Sequence, residues 1–101
     1  MATITANTDV LTQTIQGLGY ASLEDFAREQ AKSILQQKIA YYQSRIDFFE
    51  QKYGLDFAQF SDQFAHIRPY SILEKEDDSL LWETAIDVLH AYQKDVLALN
   101  Q

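Results

Sequence analysis

The 101-residue sequence contains no cysteine. That absence excludes a disulfide scaffold, a thiolate zinc site and a cysteine nucleophile. Glycine is scarce at 3 and proline scarcer at 1, so the chain has few places to turn and its elements should be long. Cations are also few: 8 Lys+Arg stand against 15 Asp+Glu, a net charge of −7. Such a balance opposes nucleic acid as a whole-surface partner and suits a basic one. No apolar run exceeds four residues (Ile39–Tyr42 and Val96–Leu99), so no segment can span a bilayer. Met1–Leu11 lacks a basic start followed by an apolar stretch, and a cytoplasmic location is expected. No serine sits in a G-x-S-x-G context, and neither a P-loop nor G-x-G-x-x-G is present, so an enzyme is not expected.

With 47% apolar and 23% charged residues, residues 1–101 read as one globular domain. Turn signals fall at Gly17-Leu18-Gly19, at Gly54 and at Pro69, with helical apolar spacing between them. The fold class is therefore all-α, with about four helices. Thr3-Ile4-Thr5-Ala6 alternates polar and apolar, as a very short N-terminal strand or a frayed start would. Thr8–Gln16 reads as a short first helix. Ser22 is a good N-cap, with Glu24 and Asp25 in the first turn, for a helix over 22–53. Those 32 residues would extend about 48 Å, longer than a small domain is wide. Gly54 suits the cap after it. Asp56 and Gln59 form a capping-box pair, Leu55 and Phe60 a hydrophobic staple, and the third helix should run until Pro69. The charged run Glu74–Ser79 reads as a linker, and the last helix should open near Asp78 or Ser79.

On the long helix Leu35, Ile39, Tyr42, Ile46, Phe49 and Tyr53 recur at alternating gaps of four and three, the period of a coiled-coil seam. This predicts a coiled-coil-like homodimer, with 1–53 as its dimerising part; an intramolecular bundle satisfies the same period. Beside the seam, Ile34, Lys38, Tyr41, Arg45, Phe48 and Lys52 make a second stripe. It reads as a face covered by another helix, with its cations snorkelling at the edge, rather than as a track for nucleic acid. On the last helix Asp87-x-x-His90 has metal-ligand spacing, but no second acidic-x-x-His pair exists to complete a site. Those residues read as a solvated face, and neither metal nor cofactor is expected.

Residues 56–101 hold three cations against nine acids, a net −6. Four of the acids lie in Glu74-Lys75-Glu76-Asp77-Asp78, just before Leu81 and Trp82. Glu76, Asp77, Asp78, Leu81 and Trp82 are thus candidates for a partner-binding surface, an aromatic anchor with a charged rim. The alternative for Trp82 is a core position in line with Ala85 and Leu89.

Two segments carry family resemblances. Gly19-Tyr20-Ala21-Ser22-Leu23-Glu24-Asp25-Phe26-Ala27-Arg28 resembles the turn and second helix of ribbon-helix-helix repressors. The resemblance implies a ribbon strand at Thr3-Ile4-Thr5 whose outward residues Thr3, Thr5 and Asn7 would face DNA. With no Lys or Arg in the first 27 residues, that contact should be weak or absent. Lys52-Tyr53-Gly54-Leu55-Asp56-Phe57-Ala58-Gln59-Phe60, followed by Glu76-Asp77-Asp78-Ser79-Leu80-Leu81-Trp82-Glu83, is similar to small bacterial and archaeal antitoxin-like proteins. That likeness implies a dimerising N-terminal part and a C-terminal part, 56–101, that masks a basic, ribonuclease-like toxin. The alternative is a helical dimerisation or adaptor module without a toxin partner.

Overall fold

The computed structural model describes the backbone of residues 2–101 and the side chains from Asp9 onward. Four α-helices follow in order: α1 (Ala2–Gly17), α2 (Leu23–Tyr53), α3 (Phe57–Asp62) and α4 (Ile72–Leu99), with a single 3-10 turn at Phe64–His66 before α4. No strand occurs among the described residues. The expected ribbon at Thr3-Ile4-Thr5 is instead the first turns of α1, which also starts six residues before Thr8. A lone strand leaves its backbone groups unpaired, whereas a helix satisfies them within one chain. The side chains of Thr3, Thr5 and Asn7 lie outside the described residues.

The chain forms two compact units, divided between Ile34 and Leu35. In the first unit, α1 ends in a Schellman motif. Gly19 takes φ 103°, its N–H donates to Gln16 O, and the Tyr20 N–H donates to Ile15 O. Ile15 is buried, Tyr20 meets Phe26 edge to face, and the Ser22 hydroxyl caps α2 by accepting from the Asp25 N–H.

The second unit is a helical hairpin, and Gly54 makes it possible. At φ 67° its N–H donates to Glu50 O, which ends α2 with the left-handed cap that glycine adopts without penalty. The capping box at Asp56 and Gln59 then starts α3, both reciprocal bonds being present. Helix α3 is shorter than its apolar pattern suggests, ending at Asp62 ahead of the 3-10 turn. The chain reverses, and α4 runs back along α2. Tyr42 lies against Tyr92, and Phe49 and Tyr53 lie against Trp82, so residue numbers rise on one helix as they fall on the other. That is an antiparallel pairing.

The core holds Ile46, Phe49, Phe60, Trp82, Ala85 and Leu89, with Ile39, Tyr42, Tyr53, Leu55 and Phe57 packed against it. Seam residues expected at a dimer interface are therefore occupied within the chain: Ile46 and Phe49 are buried, and Ile39 and Tyr42 pack on the same core. Leu35, the first of the series, is half-buried. The reason is matching periods. Trp82, Ala85, Leu89, Tyr92 and Val96 repeat on α4 at the spacing of the α2 seam, and the Gly54 turn holds them at an effective concentration well above that of a second chain in dilute solution. Both sides of the Gly54 turn thus share one core.

Candidate functional site

Glu74–Ser79 is not a linker. Helix α4 opens at Ile72, six residues before Asp78, because the Ser71 hydroxyl caps it by accepting from the Glu74 N–H. Once helical, the charged run is sorted by face. Lys75 and Asp78 turn inward and become buried, while Glu76 and Asp77 stay exposed. The Lys75 ammonium donates to carbonyls at the two ends of the 3-10 turn, Phe64 O at 2.7 Å and Ile67 O at 3.1 Å, and lies 4.8 Å from the centre of the Phe64 ring. Asp78 Oδ2 accepts from Lys52 Nζ at 2.7 Å and from the Tyr53 hydroxyl at 2.5 Å. Lys52 also pairs with Glu74, and the Tyr70 hydroxyl donates to Lys52 O.

These contacts show in the protonation equilibria. The hydrogen bonds of Lys52 to Asp78 and then Glu74 hold its ammonium above the usual lysine range, against the opposing effect of burial. Burial first, and the hydrogen bond to Asp78 second, push the Tyr53 phenol above its usual range. Asp78 is thus the polar clasp between the end of α2 and the start of α4. Trp82, four residues on, is 0% exposed and sits among Phe49, Tyr53, Phe57 and Phe60, its ring centre 5.1–6.0 Å from theirs. Its Nε1 has no hydrogen-bond partner. Asp78 and Trp82 therefore leave the set of partner-facing candidates, and both hold the hairpin shut.

Glu76, Asp77 and Leu81 remain accessible. Two residues outside the candidate set join Glu76 and Asp77. Leu73 and Leu80 are each 68% exposed, seven residues apart, with Glu76 and Asp77 at the intermediate i+3 and i+4 positions. Glu83 and Asp87 continue the stripe along α4. This outer face lies opposite Trp82, Ala85 and Leu89, and combines leucines with carboxylates. The signal that could have found it was the spacing Leu73–Leu80, out of phase with the Trp82 series. His90 is exposed beside Asp87, and among the described residues no three His, Asp or Glu side chains converge as a metal site would require.

The stripe beside the α2 seam differs from expectation too. Tyr41 is 57% and Phe48 51% exposed, so no helix of the described chain covers them. Arg45 lies over the Phe48 and Phe49 rings at 5.6 and 5.4 Å. The pairing of Lys52 with Glu74 fixes which side of α4 adjoins this stripe. Arg45 and Lys38 lie one and two heptads before Lys52; Leu81, Val88 and Asp95 lie one, two and three heptads after Glu74. One side of the hairpin thus displays Tyr41 and Phe48 from α2 beside Leu81, 52% exposed, and half-buried Val88 from α4. On this side Gln37, Lys38, Tyr41 and Tyr42 line an open groove of about 310 Å³.

Comparison with protein-family models, with curated proteins and with solved structures yields no match, so the functional reading rests on these surfaces. Among the described residues no helix is long and apolar enough to cross a membrane.

Proposed function

We propose that the protein is a non-enzymatic binding protein that masks a basic partner protein with the outer face of α4, acting as an antitoxin toward a small, ribonuclease-like toxin. One observation carries the binding part of this reading: Leu73 and Leu80 are held out in solvent with Glu76, Asp77, Glu83 and Asp87 around them. Exposed leucines ringed by carboxylates combine an apolar contact with a rim that attracts a cationic surface. The toxin-masking part is supported by the resemblance of Lys52–Phe60 and Glu76–Glu83 to antitoxin-like proteins. The uncovered side of the hairpin favours a second reading, an adaptor that only assembles with itself.

The deciding experiment is co-purification with the product of the neighbouring reading frame. The antitoxin reading expects a small basic protein in a stable complex, with Glu76→Gln and Asp77→Asn together slowing association and flattening its salt dependence. Leu80→Ala should instead speed dissociation. Absence of a complex, or association rates unchanged by both carboxylate substitutions, refutes the assignment of this face.

A further inference from the structure

We propose that a second copy of this chain docks on the side of the hairpin bearing Tyr41, Phe48, Leu81 and Val88, making a four-helix homodimer. A two-helix layer buries one face of each helix and requires a second layer to bury another. Here the uncovered side presents two aromatic rings and a leucine that are each more than half exposed. Its extent suits the task. The α2 segment from Leu35 to Tyr53 is about 28 Å long, and two helices packed side by side are about 20 Å wide, a projected footprint of about 560 Å² that side-chain relief enlarges toward the ~800 Å² per partner of standard interfaces.

Charge selects the occupant. Two copies of a chain carrying −7 repel through the outer face of α4, where Glu76, Glu83 and Asp87 gather, with Asp77 at its border with the proposed side. The proposed side instead carries Lys38 and Arg45, neither of which is in an ion pair among the described residues. Its far row on α4 ends in exposed Asp95, so the side carries both a cation at Lys38 and a carboxylate to answer it on a second copy.

The in-chain register makes the docking self-complementary. Tyr42 is level with Tyr92, so Lys38 is level with Asp95, and Phe48 is level with the gap between Leu81 and Val88. A two-fold axis parallel to the helices lays α2 of each copy over α4 of the other at those same levels. Lys38 then faces Asp95 of the second copy, and Phe48 enters between Leu81 and Val88 of the second copy. Both contacts occur twice, as a closed isologous interface requires.

The test is an exchange of charge between copies, read as mass by light scattering across micromolar concentrations. The wild type should show twice the 11.7 kDa of one chain. Lys38→Glu alone and Asp95→Lys alone should each weaken the dimer about tenfold or more, because like charges meet at two places. Mixing the two variants should restore a dimer, since every contact in the mixed pair is then of opposite sign. Both positions are exposed, so helix content by circular dichroism should not change. Phe48→Glu should give a folded monomer. A monomeric wild type, a wild-type dimer indifferent to Phe48→Glu, or a mixture that stays monomeric overturns the proposal.

Discussion

Asp78 and Asp77 are neighbours in sequence with opposite surroundings, and substituting each in turn separates folding from binding. Asp78→Asn keeps the shape of the side chain and removes its charge. The lost charge served two hydrogen bonds, from Lys52 at 2.7 Å and from the Tyr53 hydroxyl at 2.5 Å. Bonds to a charged group contribute about 1.5–3 kcal/mol each. Two effects reduce the sum: the amide oxygen of Asn can still accept one bond, and Lys52 retains Glu74. An expected loss of about 2 kcal/mol follows, equivalent to a fall in Tm of about 8–16 °C in a domain of this size. Asp77→Asn, on the exposed side of the same turn, should stay within about 0.5 kcal/mol of wild type. Urea titrations of both variants with a common slope measure the difference. An Asp78→Asn protein as stable as Asp77→Asn would mean that the clasp holds nothing, and the inward assignment of Asp78 would fail.

Trp82→Ala should cost about 3–5 kcal/mol of folding stability by emptying the centre of the core. Trp82→Phe should cost clearly less, because it also removes a buried N–H that has no partner; thermal melts of the two variants give the order, and equal losses would contradict it. Stability should be level from neutral pH to about 10 and fall above it. Lys52 and Tyr53 both hold their protons more tightly when folded than at their ordinary values of 10.5 and 10.0, so their contribution is complete below those values and is lost as pH rises through the higher folded ones. Tyr53→Phe should lessen that alkaline decline, as pH-dependent denaturation would show.

The local signals in the sequence determined the four helices, both ends of α2, the end of α1 and the start of α3. Ser22, Gly54 and the Asp56–Gln59 pair act within a few residues of themselves, so the bonds they make follow from spacing alone. The α2 seam was equally legible as an apolar stripe, because a stripe must be buried somewhere. Whether it met another chain or its own was not, since one period serves both; the antiparallel return of α4 decided it, through Phe49 and Tyr53 against Trp82. Tertiary structure also decided which charges of Glu74–Asp78 are surface. In sequence they are one acidic run. In the fold, Lys52 and the Tyr53 hydroxyl draw Asp78 inward, the carbonyls of Phe64 and Ile67 draw Lys75, and Glu76 and Asp77 are left on the outside beside Leu73 and Leu80. A charge goes inward only where distant segments supply its partners, and the position of those partners is a property of the packed hairpin rather than of the run itself.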